Sequence, residues 1–233
     1  GGRLYHVIDQ WQLYRDDLAK IVLPPYTGLG VYGGLLTGTA AGVLYARYKG
    51  QSVARWADVI APALFLMQAI GRWGNFFNQE LYGPPTTLPW GIQIDCAHRL
   101  PEYACPPAGP YIVETLFQPL FLYESLSGFL GAAFLLWLGR RFNDRLRPGD
   151  LLLVFFAWYA VVRFALESLR TGNWIVGDIP VAQLFSIGFV AVAVVLFVAR
   201  HRRPGPSTAE VERAAASADV DRAAPPTVEP ASG

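Results

Sequence analysis

Five stretches of this chain are almost wholly apolar and each about twenty residues long: Gly28 to Ala46, Trp56 to Arg72, Pro119 to Gly139, Leu151 to Leu169 and Ile179 to Ala199. An α-helix rises about 1.5 Å per residue, so about twenty residues cross the ~30 Å hydrocarbon layer of a bilayer. The pattern predicts an all-α fold, a polytopic transmembrane helix bundle. The second window is short for a full span, and the fourth carries Arg163 and Glu167 near its far end. Composition agrees: 53% hydrophobic and 16% charged residues, against about 25% charged in ordinary soluble domains. A net charge of +1 with no concentrated basic stripe excludes a nucleic-acid partner.

Arginine and lysine positions orient the spans, because cytoplasmic loops carry an excess of both. Arg47, Lys49 and Arg55 flank one loop, Arg140, Arg141, Arg145 and Arg147 fill another, and Arg200, Arg202 and Arg203 follow the last window. Segments 73–118 and 171–178 contain only Arg99. The first set is expected inside and the second outside, which makes 73–118 an extracytoplasmic head. Residues 1–27 are expected to be the end of a transmembrane helix plus an outer interfacial arm, 28–203 the bundle, and 204–233, rich in Pro, Ala, Ser and Glu, a disordered cytoplasmic tail. The chain starts at Gly1 with no signal-peptide pattern, and is expected to be a fragment with further helices preceding it. Cys96 and Cys105 fall in the outer head, where a disulfide is permitted, but spacing leaves open whether they pair. With only His98 nearby, no metal site is expected.

Three polar constellations interrupt this apolar background. The run Gly71-Arg72-Trp73-Gly74-Asn75-Phe76-Phe77-Asn78-Gln79-Glu80, ending at Gly83, sets an arginine, two asparagines and a carboxylate at the outer boundary of a window. A guanidinium at that depth needs a partner anion, and its planar fork suits a lipid phosphate; a lone snorkelling Arg is the plainer alternative. Arg163, Glu167 and Arg170, spaced i, i+4, i+7, project from one helical face at the same outer end; a structural ion-pair ladder is the alternative there. Gln118-Pro119-Leu120-Phe121-Leu122-Tyr123-Glu124 opens the third window, with Tyr123 and Glu124 set toward a cavity or a neighbouring helix. Gly33 and Gly34 also allow close helix packing or approach of a head group to the backbone.

The Gly71 to Gly83 run resembles the signature of the bacterial prolipoprotein diacylglyceryl transferases. Arg163-Phe164 with Glu167 and Arg170 resembles that family's late-helix motif, Gly33-Gly34 its early glycine pair, Tyr123-Glu124 the end of its His-Pro-containing motif, and Gly1-Gly2-Arg3-Leu4 the end of its second helix. The likeness extends to about Arg203. It implies a seven-helix protein of the bacterial inner membrane, here without its first helix and most of its second. It further implies transfer of the diacylglyceryl group from phosphatidylglycerol to the lipobox cysteine of preprolipoproteins, at the extracytoplasmic side, without cofactor or metal. In that scheme Arg72 binds the lipid phosphate with Arg163 completing the clamp. Asn75, Asn78, Glu80 and Gly83 shape the head-group site with Gly33, Gly34 and Tyr123, and Glu167 and Arg170 orient Arg163. The chain departs from the family at Tyr32 and Gln118, where many members have His. The group that activates the thiol stays open among Tyr32, His6 and the field of the arginines. A membrane transporter lined by the same charges, or an impaired lipid-binding relative, are the alternatives; a transporter is expected to set its charges at mid-depth. Arg72→Ala is expected to abolish transfer and Arg99→Ala, in the outer loop, to leave most of it.

Overall fold

The computed structural model describes residues 1–22, 28, 30–170, 175–177 and 179–223. The chain divides into two compact units, Gly1–Trp56 and Ala57–Gly233.

The first unit contains α1 (Gly2–Asp9), the single turn α2 (Ala19–Val22) and α3 (Val31–Tyr48). Arg3 on α1 gathers the intervening segment, donating to the carbonyls of Lys20 at 2.6 Å, Gly28 at 3.1 Å and Ile21 at 3.3 Å. The Gly30 N–H bonds the Gly2 carbonyl at 2.9 Å, drawing the start of α3 onto α1. A Cβ added at Gly33 would lie 2.2 Å from Tyr5 Cβ, so only glycine permits this approach, whereas Gly34 faces open space. Close packing thus explains one glycine of the pair. The arm expected over residues 1–27 begins as a helix, and residues 23–27 lie outside the described residues.

In the second unit the long helices are α4 (Val53–Phe77, entering from the first unit), α5 (Leu120–Arg141), α6 (Asp150–Glu167) and α7 (Val181–Arg202), followed by α8 (Thr208–Ala223). Three of these, α4, α5 and α7, are long and apolar enough to cross a membrane. The windows at 28–46 and 151–169 correspond to α3 and α6, 18 residues each. At about 27 Å they are marginal for a straight span, and α6 also holds Asp150, Arg163 and Glu167. The core is Ala61, Phe65, Ala132, Leu135 and Phe155, with Phe65 and Phe155 centroids 4.6 Å apart. Small residues bring α4 and α5 together, since a Cβ at Gly128 would meet the Phe65 carbonyl at 3.0 Å.

Specific hydrogen bonds fix the helix directions. Trp73 near the end of α4 donates to Ser125 near the start of α5 at 3.2 Å, so these helices are antiparallel. Asp58 near the start of α4 accepts the Gly149 and Leu152 N–H groups at the start of α6, at 2.6 and 3.1 Å, so α4 and α6 are parallel. Gln183 on the first turn of α7 reaches the Phe164 carbonyl near the end of α6 at 3.4 Å, making α7 antiparallel to α6. The basic segments 140–147 and 200–203 therefore meet at one end of this unit, while the ends of α4 and α6 and the start of α5 meet at the other.

Between α4 and α5 the chain builds the head. Strands β1 (Ile92–Gln93) and β2 (Leu116–Phe117) pair antiparallel, and Pro85 bridges Phe117 on its other side. Its core is Tyr82, Ile94, Tyr103 and Phe117. Cys96 and Cys105 form a disulfide with Cα atoms 5.6 Å apart. The Arg99 guanidinium is buried, 5.0 Å over the Phe117 ring, and donates to the carbonyls of Ile94, Ile112 and Val113 at 2.8, 2.9 and 2.7 Å. Arg99 is thus tied into the fold of the head rather than solvated. A lone charge in a loop reads as solvated, but carbonyls from residues 94 to 113 supply it with a cage. A second hairpin pairs β3 (Ile175–Val176) with β4 (Ile179–Pro180).

The expected disordered tail also needs correction: Thr208–Ala223 is α8. Its alanines and Glu/Arg residues are strong helix formers, and Thr208 N–H anchors the start to the Leu146 carbonyl at 2.7 Å. Arg213–Asp144 at 3.3 Å and Asn143–Glu212 at 3.0 Å extend that attachment. Residues 224–233 lie outside the described residues.

Candidate functional site

Helix α4 does not stop at the window's edge but continues to Phe77, so Arg72 lies inside it, five residues before its end. Gly71 and Gly74 have open space where a Cβ would be, and close backbone approach does not explain them. The turn beyond the helix is instead made by left-handed conformations at Gln79 (φ 53°) and Leu81 (φ 55°). Here the Glu80 N–H bonds the Asn75 carbonyl at 3.0 Å, and the exposed Glu80 carboxylate accepts from Asn75 Nδ2 at 2.9 Å and Asn78 Nδ2 at 3.1 Å. Asn75 Oδ1 in turn accepts from Arg72 at 3.4 Å. The amides expected to shape a head-group site thus form a chain that orients the guanidinium. Gln79 latches this turn to the head through two bonds with Asp95, at 2.8 and 2.6 Å.

Arg72 is ion-paired through Nε with Glu124 on the first turns of α5; both side chains are largely buried. On α6, Arg163 pairs with Glu167 at 2.6 Å, the carboxylate being almost wholly buried. Arg72, Glu124 and Arg163 line one cleft between α4, α5 and α6, with Phe65, Trp158 and Leu166 forming its apolar wall. Arg170, just beyond α6, is held below the ordinary arginine value, first by burial and then by the like charge of Arg163; Glu167 and Glu124 oppose that drop and Arg72 adds to it. Among the described residues, three guanidinium groups and two carboxylates therefore share this mouth. Guanidinium groups gathered in a half-buried cleft set up a field that favours an anion there.

Gly83 is buried where the head returns toward the bundle. A Cβ there would lie 2.7 Å from Gln118 Cβ and 3.1 Å from the Leu169 carbonyl, so this position requires glycine and joins the first head turn to the end of α6. Tyr123 donates to Gln118 Oε1 at 2.7 Å and accepts from Trp90 at 2.8 Å. This ties the head to α5, with Gln118 acting as acceptor. Tyr32, Gly33 and Gly34 belong to the first unit, where the Tyr32 side chain is exposed with its ring 6.2 Å from that of Tyr5. His6 is in the same unit, edge-on to Tyr14 at 6.1 Å.

The structure brings together Arg72, Asn75, Asn78 and Glu80 in one hydrogen-bonded chain, and Arg72 with Arg163, Glu167 and Arg170 in one mouth. Sequence reasoning did not place Glu124 as the partner of Arg72. Its position beside Tyr123 at a helix start was the available signal, but nothing in one sequence pairs residues 52 positions apart. Among the described residues no group of three or more His, Cys, Asp or Glu side chains could hold a metal ion.

Residues 1–199 match the family model described as prolipoprotein diacylglyceryl transferase. The chain is similar to a phosphatidylglycerol–prolipoprotein diacylglyceryl transferase of Chloroflexus aggregans, 39% identical over 226 residues, covering 91% of this chain and 73% of that protein. It is also similar to proteins of the same name from Bacillus cereus strain G9842 and Bacillus anthracis strain CDC 684, each 38% identical over 201 residues, covering 86% of this chain and 71% of the relative. With its signature residues assembled around one cationic cleft, the chain belongs to the prolipoprotein diacylglyceryl transferase family.

Proposed function

We propose that this chain is a membrane-embedded transferase that moves the diacylglyceryl group of phosphatidylglycerol onto the lipobox cysteine of preprolipoproteins. The single observation that carries this reading is that Arg72 and Arg163, from two parallel helices, line one cleft with an apolar wall. The cysteine sulfur attacks the glyceryl carbon that bears the phosphate. A C–S bond forms, the C–O bond breaks, and the oxygen keeps the electron pair as glycerol 1-phosphate leaves with the thiol proton or releases it to solvent. Negative charge on the departing phosphate rises along this path, and fixed guanidinium donors stabilise the transition state more than the ground state.

In this reading Arg72 grips the phosphate while Asn75 aims it, Asn78 and Glu80 hold Asn75, and Glu167 and Arg170 hold Arg163. The same positive field lowers the pKa of the substrate thiol, about 8.5 when free, and raises the thiolate fraction. Gly83 and Tyr123 keep the head seated over the mouth; Gly33, Gly34 and Tyr32 serve through the N-terminal unit. The Arg-rich end at 140–147 and 200–203 faces the cytoplasm and the mouth opens on the outer side of the inner membrane, as the basic-residue bias supports.

Full-length protein in nanodiscs, given phosphatidylglycerol and a lipobox peptide, is expected to yield thioether-linked peptide and glycerol 1-phosphate in equal amounts, measured by mass spectrometry. Lipid binding or flux without that product would overturn the reading.

A further inference from the structure

Resting on that reading, we propose that Gln68, with Tyr159 across the cleft, binds the acyl-ester carbonyls of the lipid and thereby selects a diester over a diether donor. Gln68 precedes Arg72 by one helical turn on α4, and Tyr159 precedes Arg163 by one turn on the parallel helix α6. All four line the same cleft. Two parallel helices thus present two matching layers about 6 Å apart along their axes, guanidinium groups toward the mouth and neutral donors deeper. Among the described residues neither the Gln68 amide nor the Tyr159 hydroxyl has a hydrogen-bond partner. Other polar side chains near them do: Trp158 Nε1 donates to Ser127 Oγ at 3.1 Å. Below this layer the lining turns apolar, with Phe65 buried at 2% exposure.

A glycerophospholipid has the same order of chemistry. Below its phosphate come two ester carbonyls, good acceptors without donors of their own, and then acyl chains. A carboxamide and a phenol can each donate to such a carbonyl, and neither carries a charge that a deeper layer would have to desolvate. The esters persist from substrate to product, so these bonds do not stabilise the leaving group. They hold the glyceryl carbon in line with the incoming sulfur, as positioning residues.

The test uses the full-length enzyme in nanodiscs with a lipobox peptide and, as donor, either diester phosphatidylglycerol or the diether analogue that lacks both carbonyls. The wild type is expected to favour the diester at least tenfold in kcat/KM. Gln68→Met, which keeps volume and removes the amide, is expected to lose most of that preference by a fall on the diester alone. Tyr159→Phe, which removes one hydroxyl, is the second variant should Gln68→Met misfold. Equal falls on both lipids, or an undiminished preference in both variants, would overturn the inference while leaving the transferase reading intact. No transfer by the wild type would instead overturn the transferase reading. In that case equilibrium binding of the two lipids to wild type and variants decides the inference by the same ratio.

Discussion

The two ends of the second unit are made of the same residue types and differ in what lies beside them: backbone carbonyls at one end, an open cleft at the other. At the end opposite the mouth, Asp150 is fully buried, accepts the Arg147 N–H at 2.7 Å, and pairs with Arg200 at 3.5 Å and His201 at 3.4 Å. Its neighbours are tied to backbone carbonyls in turn: Arg200 donates to the Pro148 carbonyl, Arg147 to the Arg200 carbonyl, and His201 bonds the Phe197 carbonyl at 3.0 Å. This knot joins the α5–α6 loop to the end of α7, with Asp150 Oδ1 and Arg200 Nε meeting as an ion pair and no hydrogen bond. At the mouth, among the described residues, three arginines and two carboxylates stand beside an open cleft. Buried charge alone therefore does not mark function; charge lining a cavity does.

That contrast breaks first at Arg72. Arg72→Ala should cut transfer per folded molecule roughly 10²–10³-fold, as expected when a donor to developing negative charge is lost. Arg72→Lys should lose roughly tenfold, about one charge-assisted bond, since a point charge cannot keep both Glu124 and a phosphate on one fork. Full activity of the lysine variant in a thioether assay would reduce the site to charge alone. The knot should behave in the opposite way. Asp150→Ala leaves Arg200 and the Arg147 N–H without their buried partner and should cost about 3 kcal/mol of stability in detergent unfolding, while kcat/KM of the protein that survives stays within about twofold of wild type. A large kinetic defect without destabilisation would erase the distinction between the two ends.

Smaller effects are expected in the head. Arg99→Ala leaves three carbonyls without their donor and should destabilise the head by about 2–4 kcal/mol, read as faster proteolysis within 78–118. Replacing Cys96 and Cys105 by Ser should cost about 2–3 kcal/mol by the same readout, the bridge closing a short loop. The smallest effect concerns Tyr82. Burial raises its phenol, opposed by the hydrogen bond from the Leu100 N–H and the charge of Arg99. The folded head thus keeps this proton at a pH where an unfolded chain has lost it. Head stability from this source is full below the ordinary phenol value of about 10 and falls as pH climbs above it; Tyr82→Phe should flatten that slope.

Much of the scaffold was legible because a bilayer demands length and hydropathy, which one sequence displays. Each apolar window became a helix, shifted by a few residues where polar groups join the last turn, as at Asn75 in α4. The convergence of Arg72 with Arg163 followed from the alternation of basic loops, a long-range constraint readable one loop at a time. Glu124 as the partner of Arg72, the carbonyl cage of Arg99 and the seating of α8 on residues 143–146 were not legible. Each depends on which backbone or side chain lies across a tertiary contact, and a residue's own type is silent about that. The cysteine pair lay between these cases, since the compartment allowed the bond and only geometry made it.

The head begins and ends at the same place. Gly83 N–H bonds the Gln118 carbonyl at 2.9 Å, Gln118 N–H the Pro84 carbonyl at 3.0 Å, and Thr86 N–H the Leu116 carbonyl at 2.8 Å. Its two stems are zipped side by side, so strain at the far tip has no lever on the mouth. The exposed stretch around residues 106–108 is therefore a natural graft point. An epitope tag or fluorophore spliced there would lengthen a loop whose closure cost grows only logarithmically, and would leave the arginine spacing untouched.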